Sequence, residues 1–173
     1  MERWKIADRR MLGAMSRRRG ERFEALIDIS CESYRISGKA DIEKTPEPMK
    51  VVRAIGGGKF LAAYEKKAQA DYKGVLYGGR AVFFEAKSTE RDRMLQNRVT
   101  ENQAERLNRA QQLGAEVFVL CEIGGRYFRV PWIVWDNMKT YFGRKYITQA
   151  DAARYEVRIG KNGYLRFLEG IDE

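Results

Sequence analysis

The chain contains no histidine, two cysteines and three prolines in 173 residues. It also has no apolar run approaching the ~20 residues needed to cross a bilayer. Each scarcity excludes something. Without histidine, acyl transfer through a serine–histidine–aspartate arrangement has no base. Two cysteines and no histidine are too few for a zinc site. Cys31 and Cys121 lie in periodic apolar stretches, so buried free thiols in a reducing cytoplasm are expected rather than a disulfide. The opening Met1-Glu2-Arg3-Trp4-Lys5 lacks the apolar core of a signal peptide, and a cytoplasmic protein without membrane contact is expected. Any hydrolytic chemistry must therefore come from carboxylates.

Positive charge is what the chain has in excess. Lys and Arg total 33 against 24 Asp and Glu, a net charge of +9. That balance calls for a polyanionic partner, with DNA, RNA and anionic lipid all compatible. The length suits one domain with a real core.

The most informative stretch is Asp71-Tyr72-Lys73-Gly74 followed by Phe83-Phe84-Glu85-Ala86-Lys87. In the second segment strand alternation puts Phe83, Glu85 and Lys87 on one face. Tyr77-Gly78-Gly79-Arg80 supplies a turn that folds the Asp71 segment back beside it. Asp71 and Glu85 then converge, with Lys87 next to them. This is the chemical kit of a metal-dependent phosphodiesterase. Mg²⁺ needs only one or two carboxylates because it keeps several waters. Without a cation, two close carboxylates would repel. A lysine beside them can orient or help deprotonate the attacking water and stabilise charge on the phosphate. The plainer alternative is that all three are polar strand-end residues.

Elsewhere the pattern is coarser. Residues 1–15 read as a basic arm. Over 17–34, Phe23, Leu26, Ile27, Cys31 and Tyr34 recur at helical spacing, with Glu24 flanking the stripe, and Ser37-Gly38 ends the helix. Residues 39–44 read as a strand with Ala40 and Ile42 inward, and Thr45-Pro46-Glu47-Pro48 as an extended break. In 49–68, Gly56-Gly57-Gly58 lacks the flanking pattern of a phosphate loop and reads as a flexible tip. Residues 89–99 read as a charged loop. Thr100-Glu101-Asn102-Gln103 has the form of a capping box opening a helix that stops at Gly114. Residues 115–123 suit a central strand buried on both faces, turning at Gly124-Gly125 into a strand over 126–130. Pro131 opens a helix whose Trp132, Trp135, Met138 and Phe142 are expected to pack, with stacking on bases as the alternative. Residues 155–159 and 164–168 read as a terminal hairpin or a strand plus a tail.

These ordered motifs resemble the RecU-type Holliday junction resolvases, of the PD-(D/E)XK, restriction-endonuclease-like nuclease group. The resemblance is carried by Gly20-x-x-Phe23-Glu24-x-x-Ile27, Tyr34, Ile42-x-Lys44-x-Pro46-x-Pro48, Asp71-Tyr72-x-Gly74, Gly79-Arg80-x-x-x-Phe84-Glu85-Ala86-Lys87-x-Thr89, Gln103, the 114–120 segment and Tyr127-Phe128. It implies an α/β fold with a central mixed sheet flanked by helices. It also implies one nuclease domain over 16–173, from which 49–68 projects as a basic stalk into the junction centre. A solvated basic loop or helix is the alternative for that stretch.

The resemblance makes Asp71 and Glu85 metal ligands, Lys87 the catalytic lysine and Glu24 a further acid facing the site, with Glu24 or a main-chain carbonyl near Ala86 completing the ligand set. It puts a glutamine, here Gln103, on the helix near the site, whereas local physics needs it only as a cap. The family usually has Thr immediately before the Asp, where this chain has Ala70. The implied function is Mg²⁺-dependent (or Mn²⁺-dependent) cleavage of four-way DNA junctions in recombination or repair, alongside recombination or branch-migration proteins. Arg17, Arg18, Arg19, Lys44, Arg53, Lys59, Lys66 and Lys67 are expected to hold the DNA backbone without reading sequence. Two symmetric incisions call for a homodimer. The rival readings are a nuclease of the same fold acting on flap, single-stranded or linear DNA, and a non-catalytic DNA-binding protein.

Overall fold

A computed structural model describes residues 3–46, 49–64 and 69–171; the side chains of residues 3–10, Leu12 and Tyr64 lie outside that description. The chain forms α1 (Arg3–Ile36), β1 (Ala40–Lys44), β2 (Met49–Gly56), β3 (Lys59–Tyr64), β4 (Tyr72–Leu76), β5 (Ala81–Thr89) and β6 (Arg93–Leu95). It continues through α2 (Glu101–Gln112), β7 (Glu116–Ile123), β8 (Arg126–Pro131), α3 (Trp132–Asp136) and α4 (Met138–Phe142). The last elements are β9 (Tyr146–Thr148), α5 (Gln149–Ala152) and β10 (Glu156–Val157). Six strands make a mixed sheet in the order β1-β4-β5-β7-β8-β10; β2 with β3 and β6 with β9 form separate ribbons. All neighbours in the main sheet are antiparallel except β5 and β7. A parallel pair needs a long crossover, which α2 supplies.

Two cores sandwich the sheet. On one face α1 lays down Phe23, Ile27, Cys31 and Tyr34, against Tyr72, Val82, Phe84, Phe118 and Leu120 from the strands and Leu165 and Phe167 from the C-terminal segment. On the other, Leu107 of α2 and Trp132, Trp135 and Met138 cover Val117, Val119, Cys121 and Ile123. Strand β7 is buried on both faces from Val117 to Cys121, as its nearly continuous apolar run predicts. Trp132 and Trp135 are core residues rather than base-stacking platforms. Trp132 Nε1 donates to Asn108 Oδ1 at 2.7 Å, which satisfies its one polar atom inside the protein.

Three aromatic side chains fix the register of the sheet's centre. Phe84 stacks on Tyr72 with ring centroids 4.8 Å apart and on Phe118 at 4.7 Å, so one ladder crosses β4, β5 and β7. Each fully buried ring contributes roughly 1.5–3 kcal/mol by removal from water.

Several expectations need correction. Residues 3–15 continue α1 rather than forming a separate arm, since arginine-rich sequence is compatible with helix whenever no proline or turn signal intervenes. The 89–99 segment is not simply loop: β5 runs to Thr89, and β6 pairs with the distant β9. The helix opened by Pro131 breaks at Asn137 into α3 and α4, with Pro131 itself the final residue of β8. The C-terminal hairpin reduces to a single bridge, Ile159 with Leu165, while Glu156–Val157 joins the main sheet. Of the 49–68 region, residues 49–64 form a two-stranded ribbon whose side chains at 49–63 are all exposed, and residues 65–68 lie outside the described residues. No helix among the described residues is long and apolar enough to cross a membrane.

The glycine of Asp71-Tyr72-x-Gly74 has a steric explanation. A Cβ on Gly74 would sit 2.1 Å from the carbonyl oxygen of Asp41 and 2.6 Å from Ile42 Cα, both backbone atoms of β1. No rotamer change relieves that clash. Gly74→Ala is therefore expected to push β1 off β4 at a cost of about 1–3 kcal/mol or more. Thermal unfolding should show a clearly lowered Tm; an unchanged Tm would mean that β1 does not approach so closely.

Candidate functional site

The aromatic ladder decides where the carboxylates fall. Tyr72 pairs with Phe84 across β4 and β5, so extending this antiparallel register by one residue sets Asp71 opposite Glu85. Both leave the face of the rings and turn toward α2. Lys87, two residues on from Glu85, follows on the same face.

The three side chains are in contact. Lys87 Nζ donates to Glu85 Oε2 at 2.7 Å and to Asp71 Oδ2 at 3.1 Å. The main-chain N–H of Ala86 also donates to Asp71 Oδ2, at 3.1 Å. The Glu85 side chain is fully buried, whereas Asp71 keeps 33% of its side-chain exposure. Asp71 thus forms the open side of the cluster and Glu85 its floor.

Gln103 both caps α2 and reaches Glu85. Its Oε1 accepts from the Thr100 N–H at 3.0 Å, and its own N–H donates to Thr100 Oγ1 at 3.4 Å, completing the capping box at the start of α2. The carbonyl end of the amide being engaged, the NH₂ end faces Glu85 and donates to Oε2 at 2.6 Å. The helix cap therefore aims a donor at the buried carboxylate.

Burial dominates the electrostatics. Loss of water pushes the Glu85 carboxyl up to about 8, and the neighbouring Asp71 adds to this while Lys87 opposes it. For Lys87 burial pulls the pKa down, but the two flanking carboxylates outweigh it and the ammonium is held above its ordinary value. One atom remains unmatched: Glu85 Oε1 is buried without a hydrogen-bond partner. An unsatisfied buried acceptor costs about 1–3 kcal/mol, more when it is charged.

That orphaned oxygen, beside a part-exposed second carboxylate, suits a divalent cation. Among the described residues no cluster of three or more acidic, histidine or cysteine side chains is gathered. A pair suffices for Mg²⁺, which completes its shell with water and substrate oxygens. The donor set fits.

The other expected residues are more dispersed. Glu24 is held by Lys44, whose Nζ lies 2.7 Å from Glu24 Oε2, on the side of the sheet that α1 covers. One turn further along α1, Asp28 accepts a hydrogen bond from the Tyr72 hydroxyl at 2.8 Å; its i+4 spacing from Glu24 was the available signal, and it was missed. Arg17 and Arg18 are exposed on α1. Arg19 forms an ion pair with Glu90. Arg53 and Lys59 are exposed on the β2–β3 ribbon, and Lys66 and Lys67 lie outside the described residues. Arg91, Arg93 and Arg98, not singled out in the sequence, line a cleft together with Arg19 at the end of β5.

Fold and cluster define the class: an α/β protein whose two carboxylates and one lysine meet on adjacent strands at the centre of a mixed sheet. The family model of Recombination protein U (RecU) matches residues 18–173, and the chain belongs to that family. The protein named Holliday junction resolvase RecU in Latilactobacillus sakei is 32% identical over 171 residues, covering 90% of this chain and 80% of the relative. Its namesake in Bacillus pumilus is 28% identical over 167 residues, covering 89% and 80%. A solved structure of Hjc, a Holliday junction resolvase from Archaeoglobus fulgidus, aligns with a TM-score of 0.46 at 15% identity, over 84% of this chain and 95% of that one.

The raised Glu85 pKa has a consequence for stability. Its folded value, about 8, lies above the ordinary 4.5. The stabilisation associated with the proton is complete below about pH 4.5 and is lost as pH rises toward 8. Chelator-treated protein should therefore melt at progressively lower temperature across that window. Glu85→Gln should flatten this dependence and raise the Tm at pH 8 by several degrees, since about 1 kcal/mol moves Tm by ~2–4 °C at this size. Parallel melting curves of the two proteins from pH 5 to 8 would contradict this.

Proposed function

We propose that this chain is a divalent-metal-dependent endodeoxyribonuclease that resolves Holliday junctions. The observation that carries the chemistry is the buried Glu85 carboxylate, with one oxygen unmatched, facing Asp71 beside Lys87. Membership of the RecU family, with relatives named Holliday junction resolvases, supports the branched substrate.

In this reading Asp71 and Glu85 hold the cation, Mg²⁺ or Mn²⁺ in its place, which when bound supplies Lewis-acid charge at the scissile phosphate. Lys87 starts as the cation between the two carboxylates. Its three donors allow it to turn one N–H to a phosphate oxygen or the attacking water while keeping the carboxylates in place. Gln103 and Lys87 both occupy Oε2 of Glu85, which leaves Oε1 as the oxygen for the cation. The exclusion of water around Glu85 strengthens each of these interactions.

Glu24 and Lys44 act at the rim as a neutralised pair, with Lys44 available to a backbone phosphate once it leaves Glu24. Arg17, Arg18 and Arg19 on α1, together with Arg53 and Lys59 on the ribbon, provide backbone contacts that carry no sequence information. Paired incisions across a near-symmetric junction require two such sites, which a two-fold homodimer provides. The intact Asp71–Glu85–Lys87 contact disfavours a purely architectural role.

Replacement of Asp71 or Glu85 by Ala is expected to lower cleavage of a four-way junction at least ~100-fold. Junction affinity should stay within about threefold, because most contacts are to phosphates elsewhere. Gel-based cleavage and binding assays check both. An equal collapse of binding and cleavage would remove the metal-ligand assignment. In competition, linear duplex of equal length should displace the junction only in large excess; equal competition would favour a nuclease of linear DNA.

A further inference from the structure

Beyond the end of β5, residues from three separate elements close a cleft of about 370 Å³. Arg19 enters from α1, Arg91 and Arg93 from the turn and strand after β5, and Arg98 from the short helical turn before α2; the only carboxylate among its lining residues is Glu90. We propose that this cleft is a subsite for a backbone phosphodiester of the DNA strand being cut, an inference that rests on the nuclease reading above.

The chemistry favours a phosphate. Guanidinium forks match paired oxygens of a phosphodiester, and the cleft offers four of them with Ser88 and Thr89 alongside. One of the arginines is already oriented: the guanidinium of Arg93 stacks over the Tyr146 ring, 5.1 Å from its centroid, while Arg19 is engaged by Glu90. The turn carrying Arg91 is pinned by its N–H, which donates to Thr89 Oγ1 at 3.2 Å. Prior orientation reduces the entropy lost on binding.

Position favours DNA. Thr89 is two strand residues beyond Lys87, about 6.6 Å at the usual rise. A DNA strand carries one phosphate per ~3.4 Å of duplex axis. The phosphate in the cleft and the one beside Lys87 can thus belong to one strand, one or two nucleotides apart. Glu90 then has a defined part: it competes with the phosphate for Arg19 and must yield when DNA enters.

The full-length chain, Arg91→Ala, Arg98→Ala and Glu90→Gln would be titrated with fluorescent four-way junction in Ca²⁺ over a range of salt. Each arginine variant should bind about threefold to tenfold more weakly and lose about one unit of the salt slope. Glu90→Gln, which removes the competitor, should bind more tightly. A neutral methylphosphonate at the phosphate one or two nucleotides from the cut should weaken the unmodified protein but cost Arg91→Ala nothing further. Unchanged affinity and slope in both arginine variants, or additive losses with the methylphosphonate, would overturn the subsite while leaving the resolvase reading intact. An unmodified protein that fails to bind junction DNA in a salt-dependent way would sink both.

Discussion

The arrangement depends on the stack of Tyr72, Phe84 and Phe118 across three adjacent strands. These rings fill one face of the sheet, and the residues next to them must occupy the other. Because side chains alternate with a period of two, a slip of one residue between β4 and β5 would bury Asp71 under α1 and leave the carboxylates on opposite faces. The ladder therefore sets the site by packing alone, without any contact to the reacting groups. Gly74 contributes by allowing β1 to close on the far edge of β4, where Thr45 N–H then donates to the Asp71 carbonyl at 2.8 Å.

What the ladder brings together is not stabilising in isolation. A fully buried carboxylate with an unmatched oxygen is a liability that the surroundings only partly offset, through Lys87 and Gln103. Burial of this kind suits a group whose proper partner arrives later. The cation we propose would share Glu85 with Lys87 and supply the missing charge. The capping box then has a second purpose. A helix that needed only an N-cap could use many residues at its third position, whereas one that must also hold Glu85 needs an amide with both an acceptor and a donor.

Much of this was legible in the sequence, for physical reasons. Glu85-x-Lys87 on a strand fixes a shared face, and the Gly78-Gly79 turn returns the Asp71 segment, so the cluster follows from period and turn alone. The capping box of Gln103 forms as its spacing predicts, and the same amide reaches Glu85 with its nitrogen. The stripe on α1 and the tryptophans after Pro131 pack as their spacing indicates. The illegible parts depend on distant pairing. Nothing local announces that Glu24 meets Lys44, or that β6 pairs with β9 and brings Arg93 against Tyr146. The helical course of residues 3–15 was signalled by Trp4, Ala7, Met11 and Met15 at helical spacing, and the arginines between them masked that signal.

The account rests on Asp71 and Glu85 forming one cation site. The most direct test is an electron paramagnetic resonance titration of the protein with Mn²⁺, without DNA, in the unmodified chain and in Asp71→Asn. The account predicts saturable loss of the free-ion signal by the unmodified chain and a much weaker effect with Asp71→Asn. Equal Mn²⁺ uptake by both proteins, or none by either, would contradict it.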